Sequence, residues 1–324
     1  MTVLHRRLLF SSSGAAALAV TSGVGRAETY PSRPVHLAEG YGAGGAPDII
    51  ARLIGKWLSE RLGKPFVIEN KPGASGRIAT DYVAKAQPDG YTLLLVLSNN
   101  SVDAAIKEKL SYDFERDIAP VAGIVSLPLI MEVHPSVPAR TVAEFIAYAR
   151  ANPGKINMAS SGVGTGTHLA GELFQLMAGV SLFHVPFRGV QALRDTVAGH
   201  AQLYFGPVAS SLAQVKAGNV RALAVTSPER SAVLPDVPAL AETLPGYEHT
   251  AWYGLGAPRD TPAAVIALLN REVNAALADS GFKAQLAEMG GVPFFGGPAE
   301  LGARVTADAE KIGKVIRAAN ITLE

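Results

Sequence analysis

Short apolar runs alternate with amphipathic stretches along most of the chain. Apolar runs that end in Gly, Pro, Asn or Asp predict β-strands, and apolar residues at helical spacing predict helices. The alternation therefore predicts an α/β architecture with mostly parallel sheets. The predicted strands are 35–38, 66–69, 92–97, 118–125, 129–133, 155–159, 181–185, 202–205, 221–226 and 252–257. The predicted helices are 47–62, 76–85, 142–151, 167–177, 191–198, 210–217, 262–279, 282–289 and 298–318.

A glycine-dense loop joins the first predicted strand to the first predicted helix. Its glycines carry no Cβ, so a ligand oxygen can approach the amides that a helix start leaves unpaired. Pro47 and Asp48 suit the first helical turn. The loop holds no Lys, Arg or His, which favours a carboxylate bound by amides and waters over a polyphosphate. The candidate ligand-binding residues here are Tyr41, Gly42, Ala43, Gly44, Gly45 and Asp48.

Two alternatives for this loop stay open. It is either a tight turn without a ligand, or a dinucleotide site, because Gly40, Gly42 and Gly45 satisfy G-x-G-x-x-G. Glu69 then stands at the distance expected of a ribose-binding acid. An exported NAD(P)-dependent oxidoreductase is therefore an alternative function. It lacks a convincing catalytic constellation, because residues 82–85 are one residue short of the Tyr-x-x-x-Lys pair.

A second glycine-rich loop lies in the same context, between strand 155–159 and helix 167–177. Thr165 or Thr167 is expected to cap the helix, and two such helix starts suggest two lobes that face one ligand. Neither loop has the Lys-Ser/Thr of a P-loop. Ser160 and Ser161 lack a nucleophile elbow, and no histidine spacing indicates a metal, so we expect neither a catalytic residue nor a metal ion. The ring of His168 either bonds a neighbouring carbonyl or faces the ligand. The candidates here are Ser160, Ser161, Gly164, Thr165 and His168.

The N-terminal residues predict export from the cytoplasm. A basic start and a small, apolar run in residues 1–27 indicate a signal peptide cleaved near Ala27, by either the general or the twin-arginine route. No later segment offers an apolar stretch of about 18 residues. Removal of residues 1–27 leaves 26 basic and 28 acidic residues, which argues against nucleic acid as a partner. There is no cysteine, so a disulfide and a thiolate metal site are excluded. The remaining length favours two domains.

An ordered series of motifs resembles one family. The chain is similar to the Bug family, the extracytoplasmic substrate-binding receptors of tripartite tricarboxylate transporters. The similarity spans essentially the whole mature chain. The motifs include Gly44-Gly-Ala-Pro-Asp48, Glu69-Asn-Lys-Pro-Gly-Ala-Ser-Gly76, Gln87-Pro-Asp-Gly-Tyr-Thr-Leu-Leu94, Ser160-Ser-Gly-Val-Gly-Thr165, His184-Val-Pro-Phe-Arg-Gly189 and Leu234-Pro-Asp-Val-Pro238.

The resemblance implies a two-lobed, type II-like periplasmic binding protein, each lobe a mostly parallel sheet flanked by helices. Residues 28–124 and 252–324 would form lobe 1, and residues 125–251 lobe 2. The protein would be a monomeric receptor, not an enzyme, and would hold no cofactor. It would close around a small organic carboxylate and deliver it to the membrane components of a transporter. Ser98 and Asn99, after the third strand, would also line the cleft. A sensor that presents its ligand to a membrane kinase shares this fold and remains an alternative.

One departure from the family pattern bears on the ligand. Members that bind amino acids often place an acid after an apolar pair, whereas here Phe205 is followed by Gly206. Phe205 and Gly206 are therefore candidate ligand-binding residues without a charge for an ammonium group. This departure predicts a small organic acid that carries no amino group.

Overall fold

The computed structural model describes residues 2, 30–106, 110–318 and 321. The predicted signal peptide, apart from residue 2, and its cleavage site near Ala27 lie outside the described residues. Within the described ranges, no helix is both long and apolar enough to cross a membrane.

Strands and helices alternate along the described chain. The strands are β1 Val35–Glu39, β2 Phe66–Asn70, β3 Thr92–Leu97, β4 Ile118–Val133, β5 Asn157–Ser160, β6 Phe183–Pro186, β7 Leu203–Pro207, β8 Arg221–Val225, β9 Thr250–Pro258 and β10 Val292–Pro293. The helices are α1 Ala46–Leu62, α2 Arg77–Ala84, α3 Asn100–Ala105, α4 Phe114–Asp117, α5 Val142–Ala151, α6 Gly166–Ala178, α7 Gln191–Val197, α8 Val208–Lys216, α9 Ala263–Ala278, α10 Ser280–Glu288 and α11 Pro298–Ala318. The α/β class is confirmed.

The main error in the predicted elements is at β4. Residues 118–125 and 129–133 are one continuous strand and not two. Pro128 lies between the two predicted strands and lacks an amide proton for a sheet ladder. Pro128 is tolerated because the strand changes neighbours there: it pairs with β9 up to Pro128 and with β7 and β8 from Leu129 onward. The short helices α3 and α4 and the short strand β10 were not predicted.

The described strands form one mixed sheet in the order β2-β1-β3-β9-β4-β7-β5-β6, with β8 and β10 also paired to β4. The outer strands run parallel: β1 with β2 and β3, and β5 with β6 and β7. The central strands β4 and β9 are antiparallel to each other and to their other neighbours. We call β2-β1-β3 the first sheet segment and β7-β5-β6 the second sheet segment. The strands β4 and β9 join the two segments.

Two separate hydrophobic clusters lie on the two sheet segments. The first cluster draws its buried residues from 35–127 and 253–286. The second cluster draws them from 129–247, with Val315 added from α11. Helix α9 contacts α1 and β4, whereas α11 contacts α3, β4 and α6. The last helix therefore packs against elements of both sheet segments.

Candidate functional site

The first glycine-rich loop leads from the end of β1 into α1, a helix of 17 residues. Gly40 packs on the backbone of Gly76, and a Cβ at Gly40 would stand 2.4 Å from the Cα of Gly76. Gly44 has a φ of +84°, a conformation that favours glycine. Gly45 is the N-cap of α1 and has a φ of −79°, which any residue adopts. The glycines therefore place no side chain of their own over the amides that lead into α1.

The amides of this loop divide into two groups. The Tyr41 amide donates to the carboxylate of Glu39 at 2.7 Å, and the Gly44 amide donates to Asp48 at 2.9 Å. The Gly45 amide closes a tight turn that begins at Gly42. The amides of Gly42 and Ala43 have no partner in the part of the chain that the structure describes. These two donors lie at the positive end of the α1 dipole, which favours an anion.

The carboxylates of Glu39 and Asp48 hold the first loop in place through hydrogen bonds, and Asn70 links them. The Asn70 side-chain amide donates to Glu39 and, at 2.9 Å, to Asp48. Arg52 forms an ion pair with Asp48 at 2.8 Å, and its hydrogen bond holds the pKa of Asp48 down at about 2. Burial raises the pKa of Glu39 to about 7. At neutral pH the loop therefore rests on one charged carboxylate paired with arginine and on a second that is partly protonated.

Asn99 connects the first loop to the second. Its side-chain nitrogen donates to the hydroxyl of Tyr41, and its side-chain oxygen accepts from the Gly166 amide at 3.2 Å. A second link runs from the Ser75 hydroxyl to the carbonyl of Val163 at 2.9 Å. The two glycine-rich loops, one at the end of each sheet segment, are thus held face to face.

Hydroxyl groups hold the second loop in place. Thr165 is the N-cap of α6 by position, but its hydroxyl donates back to the carbonyl of Gly162 at 2.7 Å. The Thr167 hydroxyl accepts from the Ser161 amide at 2.8 Å, and the Ser161 hydroxyl lies 3.0 Å from that of Tyr204. The expected cap bond to a helix amide is absent at both threonines among the described residues. Their hydroxyls instead stiffen the loop.

His168 is buried, and both of its ring nitrogens have partners within the second loop and α6. Its Nδ1 accepts from the Gly164 amide at 3.1 Å, which places the proton on Nε2, 3.3 Å from Glu172. The ring stacks on that of His184, with centroids 3.8 Å apart. Burial lowers the pKa of His184 to about 4, so His184 is neutral at pH 7. Of the two alternatives for the His168 ring, a bond to a neighbouring carbonyl does not occur among the described residues.

Phe205 and Gly206 occupy opposite faces of β7. Phe205 is buried in the second hydrophobic cluster, against Phe174. A Cβ at Gly206 would stand 2.5 Å from Oε1 of Glu132 and 2.3 Å from the Ser211 hydroxyl. Glu132 was not a sequence candidate, although a lone acid inside the apolar run of β4 was a signal for it.

His249 is a further residue that the sequence did not single out. It lies just before β9, in a small cavity behind Asn99 and Gly166 that Arg304 and Lys311 of α11 also line. Its Nε2 is buried and has no partner among the described residues. Burial and the charge of Lys311 lower its pKa to about 4. His249 is therefore a neutral ring at the junction of the two sheet segments.

The dinucleotide alternative finds no support in these contacts. Gly40 is packed against Gly76 and not open to a pyrophosphate. Glu69 is engaged by His36 at 2.7 Å and by Lys71 at 3.1 Å. Within the described ranges, no group of His, Asp and Glu could hold a metal ion. What the site offers is a set of amide and hydroxyl donors suited to an anion.

Comparison with known proteins gives consistent matches. The profile of the tripartite tricarboxylate transporter family receptor matches residues 50–321. A curated relative is the UPF0065 protein in the tcbD-tcbE intergenic region of Pseudomonas sp. (strain P51). The two sequences are 38% identical over 306 residues, which cover 93% of this chain and 91% of the relative.

Two solved structures with bound ligands are also similar. R. palustris Rpa4515 with adipate has a TM-score of 0.86 and 36% sequence identity, and the match covers 90% of this chain and 99% of that one. MatC (Rpa3494) from Rhodopseudomonas palustris with bound malate has a TM-score of 0.81 and 31% identity, and covers 89% of this chain and 100% of that one.

Proposed function

The chain belongs to the family of tripartite tricarboxylate transporter receptors, and from this premise we propose that it binds a small organic dicarboxylate between its two glycine-rich loops. Members of this family are periplasmic substrate-binding receptors and not enzymes. The proposed receptor delivers its ligand to the membrane components of a transporter. The same fold would also serve a ligand-presenting sensor.

The uncovered amides at the start of α1 are the observation that carries the proposal. Gly42 and Ala43 each present an amide that has no partner among the described residues, while the carboxylates of Glu39 and Asp48 accept from other amides of the loop and hold it in place. Hydrogen bonds from amides to a carboxylate are charge-assisted and about twice as strong as neutral ones. One ligand carboxylate bound here needs no basic side chain.

The second loop supplies the other half of the proposed site. We assign the distal polar group of the ligand to the side of the second loop that carries Ser160, Ser161 and Thr165. The Ser161 hydroxyl is a donor there when it accepts from the Tyr204 hydroxyl, and Gly164 and His168 shape that side. Lobe 1 would comprise residues 28–124 and 252–324, and lobe 2 residues 125–251. Bending of β4 and β9 would open the lobes, and the bonds of Asn99 to Tyr41 and Gly166 would favour their closure. We call the contact between the two glycine-rich loops, which Asn99 bridges, the seam. Ser98 precedes Asn99 there and is buried.

The amide and hydroxyl donors of the two loops and the ligands of the similar structures support a dicarboxylate as the ligand. Adipate and malate, which two of these structures contain, are both dicarboxylates without an amino group. Backbone amides and hydroxyls on the two sides of the seam match a carboxylate at each end. Gly206 offers no charge to an ammonium group, so succinate is expected to bind more tightly than aspartate.

Calorimetric titration of the mature chain with matched acids tests the proposal. Adipate and malate are the first probes, hexanoate is the control for the second carboxylate of adipate, and succinate and aspartate form a pair for the amino group. A ligand at 100 times its dissociation constant should also stabilise the native state by roughly 2.7 kcal/mol. Absence of binding by every dicarboxylate would remove the proposed ligand class. Tighter binding of aspartate than succinate would remove the conclusion drawn from Gly206.

A further inference from the structure

Glu132 is a buried acid for which the structure shows only one hydrogen-bond partner among the described residues. It lies on β4, and its side chain is fully buried. Oε1 accepts from the Ser211 hydroxyl at 2.8 Å. Oε2 has no partner within the described ranges. Because an unmade hydrogen bond on a buried polar atom costs about 1–3 kcal/mol, this oxygen calls for a functional explanation.

The position of Glu132 connects it to the second loop. Glu132 pairs in register with Tyr204 on β7, and the hydroxyl of Tyr204 lies 3.0 Å from that of Ser161. Gly206, near the end of β7, leaves the space that the Glu132 carboxyl uses, because a Cβ at Gly206 would stand 2.5 Å from Oε1. The acid that is missing at position 206 in the sequence is thus supplied in space by Glu132.

The surroundings of Glu132 favour its neutral form. Burial raises its pKa to about 8, and only the bond from Ser211 opposes this shift. On the neighbouring strands it faces Tyr204, which is itself buried, and Ala222. On the helices of this face, Arg194 of α7 and Lys216 of α8 are exposed to solvent. Since neither of these cations is buried with it, the carboxyl keeps its proton at neutral pH and is a hydrogen-bond donor.

We propose that Glu132 is a specificity-determining residue of the second loop side, a neutral carboxylic acid that donates a hydrogen bond to the distal carboxylate of the ligand. This inference rests on the proposed dicarboxylate function and deepens it. The O–H of Glu132 stays bonded to its own oxygen and points to a ligand oxygen, so no proton leaves the pair. A neutral carboxyl gives an ammonium group no opposite charge, and its acceptor oxygen Oε1 already accepts from the Ser211 hydroxyl. The protonated carboxyl of Glu132 selects dicarboxylates, and their binding is coupled to protonation of this group.

Titration of adipate into the mature chain between pH 6 and pH 9 is the first test. Binding requires the protonated form, so the affinity of the wild-type chain should fall about tenfold between pH 7 and pH 9. At pH 8.5, measurements in two buffers of different ionisation heat should show uptake of roughly half a proton or more per adipate. Glu132→Gln keeps a neutral donor of the same shape that cannot titrate, so its affinity for adipate should be the same at pH 7 and at pH 9. It should show neither the fall in affinity nor the proton uptake above pH 8.

Glu39→Gln is the matched control, because Glu39 is a buried acid of the first loop side whose pKa burial raises to about 7. This variant should keep the fall in affinity above pH 8. Glu132→Met removes the donor at similar length, and should weaken adipate about tenfold or more while leaving hexanoate within about twofold. A merely structural role of Glu132 would affect both acids equally.

The outcomes separate the two proposals. If adipate binds and Glu132→Gln retains the wild-type pH dependence and proton uptake, the role of Glu132 is wrong and the dicarboxylate function stands. An equal effect of Glu132→Met on adipate and hexanoate would likewise overturn the role of Glu132 alone. If neither adipate nor malate binds wild type at any pH, the dicarboxylate function itself fails, and the role of Glu132 fails with it.

Discussion

The raised pKa of Glu132 makes the stability of the folded chain depend on pH even without a ligand. In the unfolded chain its carboxyl titrates near 4.5, whereas in the fold burial raises the pKa to about 8. Between these values the native state binds more protons than the unfolded state, so stability falls as pH rises. This loss of stability is absent below the pKa of Glu132 in the unfolded chain and is complete above about pH 8.

The size of this effect follows from the two pKa values. One pKa unit corresponds to about 1.4 kcal/mol, so the contribution of Glu132 to the free energy of unfolding should fall by about 2–3 kcal/mol between pH 5 and pH 7. Glu132→Gln cannot titrate and should not show this loss. The difference in stability between Glu132→Gln and wild type should therefore grow by that amount over the same range.

Urea denaturation of both proteins at pH 5, 6, 7 and 8 measures this difference. Tryptophan fluorescence is a suitable signal, because Trp252 is fully buried next to the seam. Glu39 also titrates in this range, but it is present in both proteins and cancels in the difference. Stability curves that run parallel from pH 5 to pH 8 would refute the reasoning, because they would mean that Glu132 titrates equally in both states.

Three further predictions concern the loops. Gly45→Ala has a φ that suits any residue and a Cβ that would meet nothing nearer than 3.5 Å, so the loss of the glycine N-cap should cost only about 1 kcal/mol of stability. Its Cβ would narrow the approach of a carboxylate to the amides at the start of α1 and should weaken adipate at least about tenfold in calorimetry; unchanged affinity would take the α1 amides out of the site. Asn99→Ala removes both bonds across the seam and should weaken adipate by about fivefold to tenfold, and an unchanged dissociation constant would contradict the closing role. Gly40→Ala should lower the free energy of unfolding by about 2 kcal/mol or more, measured by thermal or urea unfolding, because its Cβ would meet the backbone of Gly76. An unfolding midpoint equal to that of wild type would show that the loop moves to accommodate the Cβ.

Much of the fold followed from local pattern. Strand β3 and helices α5 and α11 begin and end where their sequence pattern predicts, because their apolar periodicity and flanking residues act within a few positions. The two glycine-rich loops also lie where predicted, each between a strand and a helix. The break predicted inside β4 failed because local chemistry at Pro128 could not reveal that the strand changes partners at that point.

The candidate site shows the same division at the level of single residues. Gly44, Gly45 and the loop from Ser160 to Thr165 were recognisable because glycines and hydroxyls before a helix are a local signal. Asn99 was placed only by resemblance to a family, and its bonds to Tyr41 and Gly166 depend on chain segments 58 and 67 residues away. Phe205 was a candidate, yet the alternation of β7 turns it into the core and turns Gly206 to the other face.

The sequence by itself determined the α/β class, the two anion-suited helix starts and the family, because periodicity, turn residues and ordered motifs are properties of neighbouring positions. Only the tertiary structure decided which amides remain uncovered and which acid stands beside Gly206. Glu132 and Gly206 are 74 positions apart in the chain, and they meet because β4 lies antiparallel to β7. Hydrogen bonds and the pKa of a buried acid depend on distances in space, which a sequence pattern does not contain.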